Sequence, residues 1–307
     1  MGKYIARRLL LLIPTILGII LLTFVIFKLT PGDPAQMILK NTAATPEQVA
    51  ALRQQLGLND PLYVQFARYV WQLMRGDLGK SYYGGFPVLA SILARFPATI
   101  ELTFAAMIFV IFFGISTGIL SSTARSKALK DTVMFFSLWG MAVPQYWLAA
   151  VFIIIFAVQL KLIPVFGGTG VKNLILPAIA LSLAPASSLT RLTHSSIRTI
   201  MGNDFVRTAR AKGLPELTVI IRHVLPNALI PVVTMLGLQF GSMLGGAVFI
   251  EAAFGRAGLG TFAIAAITNR DYPQIQGVVV LGALAFVLVN LFVDLIYGVL
   301  DPRIRYD

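Results

Sequence analysis

Leu102 to Ala124 reads LTFAAMIFVIFFGISTGILSSTA, 23 residues without a charge, closed by Glu101 on one side and Arg125 on the other. As a helix rising 1.5 Å per residue it would be about 35 Å long, more than the roughly 30 Å hydrocarbon core of a bilayer. Five further uncharged stretches flank it: Leu9–Phe27 (19 residues), Thr132–Leu160 (29), Asn173–Thr190 (18), Val224–Ile250 (27) and Tyr272–Val293 (22). All are dominated by Leu, Ile, Val, Phe, Ala and Gly, and each is long enough to be read as a membrane span. The fourth carries Pro177 and Pro185, which membrane helices tolerate when neighbouring groups satisfy the freed backbone.

Composition agrees with the runs. Of the 307 residues, 57% are hydrophobic and only 12% charged, and the mean hydropathy is +0.81. An ordinary soluble domain carries about 25% charged residues. Half that charge is too little to wet a globule of this size, and the hydrophobicity excludes a disordered chain. The net charge of +12 fits cytoplasmic loops of a membrane protein and does not require nucleic acid. There is no Cys, so disulfides, Cys-ligated zinc and thiol catalysis are excluded. Two His, His194 and His223, do not make a His-rich metal site, and no metal ligands are expected.

Lys and Arg set the orientation. With the N-terminus inside, the cytoplasmic pieces 1–8, 125–131, 191–223 and the tail after Leu300 hold 3, 3, 6 and 2 of them. The short outer pieces 161–172 and 251–271 hold 2 each, and the long outer loop 28–101 holds 7. Six spans put both termini in the cytoplasm. The basic start, Lys3 to Arg8, resembles a signal peptide, but its apolar run is too long for a cleaved one and reads as a retained anchor.

The loop after the first span should be structured. Thr45-Pro46-Glu47-Gln48 is a capping box with Pro at the first helical position. Val49, Leu52 and Leu56 follow on one face, and Gly57 stops the helix. Asp60-Pro61 opens a second helix, with Tyr63, Phe66, Val70 and Leu73 facing inward until Arg75-Gly76. The expected organisation is an all-α polytopic membrane protein with a small helical external loop. The N-terminal span and loop occupy 1–94, the transmembrane domain 95–300, and a cytoplasmic tail 301–307.

Catalytic signals are lacking. No phosphate-binding Gly-x-x-x-x-Gly-Lys-Ser/Thr, Gly-x-Ser-x-Gly or His-Glu-x-x-His occurs. The Gly-rich Gly167-Gly168-Thr169-Gly170-Val171-Lys172 has the wrong spacing and reads as a tight external turn. Ion-coupled carriers place carboxylates inside spans. Here Glu101, at the outer edge of the second span, and Asp294, about 9 Å from the inner end of the last, are the two candidates, and both suit interfacial positions. A carrier or channel would also show inverted repeats, and a membrane enzyme would show paired polar residues near one interface. Neither is seen. Active transport by this chain must draw its energy from another protein.

The longest cytoplasmic loop, 199–215, is where such a protein would dock. Asp204-Phe205-Val206-Arg207-Thr208-Ala209-Arg210-Ala211-Lys212-Gly213-Leu214 reads as a short basic helix started by Asn203 or Asp204 and ended by Gly213 in a left-handed conformation. Phe205, Ala209 and Leu214 are its apolar residues. Within it, Arg207-Thr208-Ala209-Arg210-Ala211-Lys212-Gly213-Leu214 followed by His223-Val224-Leu225-Pro226 resembles the coupling-loop signature of binding-protein-dependent ABC importer permeases. Gly213 and Leu225-Pro226 fall on that pattern. Arg207, Thr208 and His223 depart from its generic form, but Arg207 to Leu214 has the form typical of the dipeptide/oligopeptide branch. Leu29-Thr30-Pro31-Gly32-Asp33-Pro34, Gly76-Asp77-Leu78-Gly79, Arg270-Asp271-Tyr272-Pro273 and Asp301-Pro302-Arg303 match the same branch in order along the chain. Ala257 stands where the family usually has Pro, which would loosen one external turn.

The resemblance implies the type I ABC importer transmembrane fold in a bacterial or archaeal cytoplasmic membrane, surrounded by lipid. It implies the first of two related permease subunits, two cytoplasmic ATPase subunits that bind ATP and Mg, and an extracytoplasmic solute-binding protein. It implies that the basic helix inserts into an ATPase and drives alternating access. No cofactor and no nucleic acid are expected on this chain. The implied cargo is a di- or oligopeptide, with nickel complexes, glutathione and oligosaccharides as the branch's alternatives. Gln145, Gln239, Ser242 and Asn290 are the polar span residues offered as lining the path.

Overall fold

The computed structural model describes residues 2–30, 32–39, 44–162 and 170–300, with side chains from Leu10 to Val293. Described secondary structure is helical, apart from one antiparallel bridge between Lys80 and Pro87. Five helices are long and apolar enough to cross a membrane, or six when one bent pair counts as a span. With that pair they coincide with the six uncharged stretches. The Gly167–Thr169 turn and the tail 301–307 lie outside the described residues, as does the side chain of Asp294.

The chain divides into two compact units. One comprises Gly2–Pro97 with Thr261–Ala285. It opens with α1 (Gly2–Leu29), an apolar helix that carries Pro14. The loop after it continues as α2 (Pro34–Ile38), α3 (Pro46–Gln55) and α4 (Leu62–Met74). The capping box of α3 is present: the Gln48 N–H donates to Thr45 Oγ1 at 3.4 Å, and the Thr45 N–H donates to Gln48 Oε1 at 3.0 Å. Gly57 stops the helix with φ +63°. The helix α2 has no signal in the apolar pattern. Asp33 caps it through the Ala35 N–H at 3.0 Å and ties it to α3 through Arg53 at 3.1 Å. On α4, Phe66, Val70 and Leu73 turn inward as their spacing predicts, but Tyr63 is exposed. Tyr69 takes the inward place instead, stacked on Phe24 of α1 with ring centroids 6.0 Å apart. Its hydroxyl is buried without a partner, and burial pushes its pKa up to about 12.

Asp271 anchors the returning part of this unit. Its carboxylate accepts from the Ser81 hydroxyl and from the Tyr82 N–H at 3.3 Å, and the Gln274 amide donates to Ser81 Oγ at 2.8 Å. These bonds clasp the 79–87 loop to the start of α14 (Tyr272–Leu300).

The other unit runs from Ala98 to Gly260 and resumes at Phe286. It holds most of α5 (Val88–Thr123), then α6 (Lys127–Ala142), α7 (Gln145–Phe152) with a π-helical continuation Ile153–Gln159, and α8 (Lys172–Met201). Short α9 (Asp204–Ala211) and α10 (Glu216–Thr218), a second π-helical segment Val219–Val224 and α11 (Leu225–Ala228) lead into α12 (Ile230–Phe254); α13 (Leu259–Asn269) comes next. The stretch Thr132–Leu160, read as one span, is broken: α6 and α7 meet at 99°. Pro144 is the reason. It has no N–H and pushes the preceding residue out of the helical region, and Val143 is extended at ψ 123°. Val224–Ile250 is likewise interrupted, since Pro226 and Pro231 each start a fresh helical segment. By contrast α8 runs straight through Pro177 and Pro185 and continues past Thr190 to Met201, so the first part of the expected cytoplasmic loop is helix.

The core lies where α5, α7, α8 and α12 meet, around Leu102, Val110, Leu181, Leu189, Met243 and Ile250. Apolar surface is no driving force against lipid, so close packing and polar contacts must hold membrane helices together. Both are visible between α5 and α8. Gly114 and Gly118 face Leu189 and Thr193 so closely that a Cβ would have no room. Thr117 and Thr190 share a hydrogen bond of 2.7 Å, and Ser121 meets His194 Nδ1 at 3.0 Å. A methyl group at Gly118 would overpack this contact at a cost of about 1–3 kcal/mol. At Gly245 of α12 nothing lies within 4 Å, and Ala should gain up to about 1 kcal/mol of helix propensity. Thermal unfolding in detergent is therefore expected to place Gly118→Ala below and Gly245→Ala at or above the parent protein.

Candidate functional site: the basic cytoplasmic helix and the middle of α12

The basic helix forms as its sequence predicts, from Asp204 to Ala211, and Gly213 takes φ +77° behind it. Its start differs from expectation. Asn203 occupies the cap position but makes no side-chain cap bond. Asp204 sits in the first turn, favourable for the helix dipole, with only a long contact to Arg207 at 3.9 Å.

Its apolar residues are sorted differently from the expectation. Ala209 is buried rather than presented outward, and Val206, not among the apolar residues singled out from the sequence, is completely buried. Both pack in a small second core with Ile197 of α8, Val219 and Val224 of the π-helical segment, and Ala228. The three-residue spacing of Val206 and Ala209 is the signal that marks this face. Phe205 and Leu214 do face outward, with Arg207, Thr208, Ala211 and Lys212.

Arg210 is engaged within the chain. Its Nε and Nη2 donate to the two carboxylate oxygens of Glu216 at 3.0 and 2.6 Å, bracing the turn through Gly213 and Pro215. Arg207 and Lys212 are the other exposed cations of this segment. The Arg210 hydrogen bonds hold the Glu216 carboxyl below its ordinary value of 4.5. Because that pKa is depressed, the brace is at full strength above the ordinary value and is lost only as the pH falls through the lowered one.

In the middle of α12 the polar residues proposed for the path are drawn together unevenly. Gln145, at the start of α7 just after the 99° bend, lies against Gly246 of α12. Asn290 of α14 lies against Gly241, with Oδ1 buried and without a partner. Leu238, Ser242, Gly245 and Phe249 recur at helical spacing and form an exposed face of α12. On a 3.6-residue wheel Gly241 and Gly246 border that face on opposite sides, so Asn290 and Gln145 flank it. Gln239 points elsewhere: it is buried, and its amide donates to the Pro185 carbonyl of α8 at 3.1 Å.

One buried carboxylate lies outside the two candidates read from the sequence. Glu251 falls just beyond an uncharged stretch, but α12 runs a further turn, so it is helical and fully buried. It accepts the Gly260 N–H at 2.6 Å, next to Thr99, whose Oγ1 accepts the Leu259 N–H at 2.9 Å. Together they cap the start of α13. Glu101 is paired with Arg256 at 3.1 Å. The turn at Ala257 is closed without Pro, by the Arg256 N–H to the Glu251 carbonyl and the Gly258 N–H to the Arg256 carbonyl at 2.9 and 2.8 Å. These bonds hold the turn between α12 and α13. Among the described residues no cluster of His, Asp and Glu could hold a metal.

The helical bundle agrees with known proteins. Residues 110–306 match the family described as binding-protein-dependent transport system inner membrane component, and residues 1–103 match its N-terminal companion family. The chain belongs to this family. It is 42% identical over its whole length to the dipeptide transport system permease protein DppB of Alkalihalophilus pseudofirmus, all of which is covered. It is 40% identical, again over its whole length and 99% of the relative, to DppB of Escherichia coli. Identity to the glutathione transport system permease protein GsiC of Salmonella paratyphi A is 42%, with both chains fully covered. Among solved structures, the inward-facing MetNI methionine ABC transporter aligns with 68% of this chain and 96% of its own at a TM-score of 0.57 and 19% identity. An amino acid ABC transporter solved with histidines aligns with 68% and 94% at a TM-score of 0.55 and 15% identity. These likenesses show the type I importer fold. The protein is thus a multi-pass inner-membrane permease, a transport component by family.

Burial of Ala209 changes what a substitution there does. Ala209→Glu should strip α9 from its small core, since an unpaired buried carboxylate costs on the order of 3–5 kcal/mol, whereas Ala211→Glu on the exposed side should be tolerated. Limited proteolysis and hydrogen exchange of residues 204–214 separate the two. Glu216→Gln should lower the protection of the Gly213 N–H, relative to its intrinsic exchange rate, at neutral pH, and the parent protein should lose that protection only below the ordinary carboxylate range.

Proposed function

We propose that this permease is the first of two related transmembrane subunits of an ATP-driven importer that moves short peptides into the cell by alternating access. The observation that carries the cargo is full-length identity of about 40% to permeases named for dipeptide and glutathione transport, both short peptides. The sparse charge of the spans supports the same reading: a weakly polar lining hydrates a zwitterion without holding it, and a conduit needs weak binding. The path is formed along the exposed face of α12, with Ser242 and Gly245 on it and Gln145 and Asn290 at its borders; Gln239 fastens α12 to α8.

A second permease completes the path. Two ATPase subunits bind ATP and Mg, and a binding protein delivers the peptide from outside. Coupling runs through α9, whose Phe205, Arg207, Thr208, Ala211, Lys212 and Leu214 enter a groove on an ATPase. Val206, Ala209 and the Arg210–Glu216 brace tie the helix to α8, so that ATPase closure is passed to the spans as a rigid push. Gly213 shapes the turn that presents it. The N-terminus and the tail lie in the cytoplasm.

Proteoliposomes holding the complete complex are expected to take up a labelled di- or tripeptide only with binding protein and ATP. Uptake that persists without either would overturn the mechanism, and strict selectivity for a nickel complex or a sugar would overturn the cargo. Phe205→Asp and Arg207→Glu, both on the exposed side of α9, are expected to abolish peptide-stimulated ATP hydrolysis while membrane insertion is unchanged. Normal stimulation in both variants would reduce the helix to a solvated flank. For orientation, the native chain has no Cys, so Gln54→Cys should react with an impermeant thiol reagent added outside and Thr199→Cys should not.

A further inference from the structure

The external helix α4 has three sectors. Tyr69, Leu73 and Phe66 share the first, and the rings of Phe66 and Tyr69 lie 5.4 and 6.0 Å from Phe24 of α1. Gln65, Arg68, Gln72 and Arg75 share the polar sector. There Arg68 pairs with Asp60 at 2.6 Å, and the Gln65 amide donates to the Leu58 and Asp60 carbonyls. Between these two, Tyr63, Ala67, Trp71 and Met74 recur four, four and three residues apart. This third sector is apolar and open: Tyr63, Trp71 and Met74 are 75%, 52% and 68% exposed.

The height of α4 indicates what covers that sector. Phe24 lies five residues before the end of α1 at Leu29, about 7–8 Å along the helix axis. A helix whose inner side touches Phe24 therefore meets the last turns of a membrane span, at the level where acyl chains give way to headgroups. At that level α1 itself exposes Leu21, Leu22, Val25 and Ile26, so its surroundings there are apolar. The open and polar sectors flank the α1 contact on either side, and half-buried Val70 joins the open sector to it. Its composition suits the same level. Tyr and Trp are the residues of membrane–water interfaces, and the Arg75 guanidinium sits 4.6 Å from the Trp71 ring, where its charge stays with the headgroups.

We propose that α4 is an interfacial helix, with Tyr63, Ala67, Trp71 and Met74 seated in the headgroup–acyl boundary of the leaflet where α1 ends. With the N-terminus in the cytoplasm this is the outer leaflet. Anchored by lipid on one sector and by α1 on the next, α4 holds the external loop at a fixed height beside the first span. The inference rests on α1 crossing the membrane and is independent of the cargo.

The test uses the complete transporter reconstituted in phospholipid vesicles. The chain has three Trp; with Trp139→Phe and Trp147→Phe in this subunit, and Trp-free partner subunits, Trp71 is the reporter. Lipids brominated near the glycerol end of the acyl chain are expected to quench its emission more than lipids brominated near the methyl end. No quenching by either would overturn the proposal. A second readout leaves every Trp in place: a spin label on Met74→Cys should collide more with oxygen than with a water-soluble nickel chelate. The reverse preference would put the sector in water. Shielding from both, relieved when the binding protein or the second permease is left out, would assign it to a protein partner. Either outcome overturns the lipid contact, while peptide uptake by the same vesicles reports on the transport function separately.

Discussion

Hydrocarbon offers no hydrogen bond to a backbone amide, and nearly every feature of this chain derives from that constraint. Each segment that crosses the membrane must bond its backbone to itself, and the described secondary structure is helical but for a single bridge. The same solvent removes the usual reason for helices to associate, because Leu against Leu is no better than Leu against lipid. Contact must come from shape and from polar groups. Glycines at 114 and 118 let α5 approach α8, and the Thr117–Thr190 and Ser121–His194 pairs fasten that approach.

The prolines take their meaning from the same constraint. Each removes one N–H from a ladder, and the consequence depends on the neighbours. In α8, Pro177 and Pro185 are carried within an unbroken helix, with packing on several sides and Gln239 donating to the Pro185 carbonyl. Pro144 stands at a sharp bend, and Pro226 and Pro231 start new segments next to a π-helical stretch. The bend delivers the α7 N-terminus and Gln145 to the middle of α12. A broken helix thereby places a polar side chain where a straight one would have carried it past.

The basic helix α9 shows how charge and packing divide one short element. Its basic composition suggests a docking surface on every side, but Val206 and Ala209 hold it to α8, and Arg210 is occupied by Glu216. The coupling role proposed for it requires such a rear attachment, since a loosely hinged helix would yield instead of moving the spans. Glu251 has the corresponding part at the other end of α12, where its carboxylate and Thr99 cap α13.

By itself the sequence determined the solvent, the apolar stretches, the capping box at Thr45, the left-handed turns at Gly57 and Gly213, and the family. These rest on local chemistry: length of uncharged runs, cap residues, glycine's access to positive φ, and motifs in linear order. Only tertiary structure decided that Thr132–Leu160 is bent, that α8 runs on to Met201, that α12 reaches Glu251, that Tyr69 and not Tyr63 faces α1, and that Ala209 is inside. In each case the residue's own preference is compatible with two outcomes, and its neighbours in space settle which one is taken. A charge past the end of an apolar run reads as loop until another segment's amide, here that of Gly260, is found bonded to it. A small residue on a basic helix reads as exposed until Ile197 and Val224 are found against it. Periodicity identifies a helix's apolar arc; which part of the arc meets protein and which meets lipid is set by partners that no local pattern names.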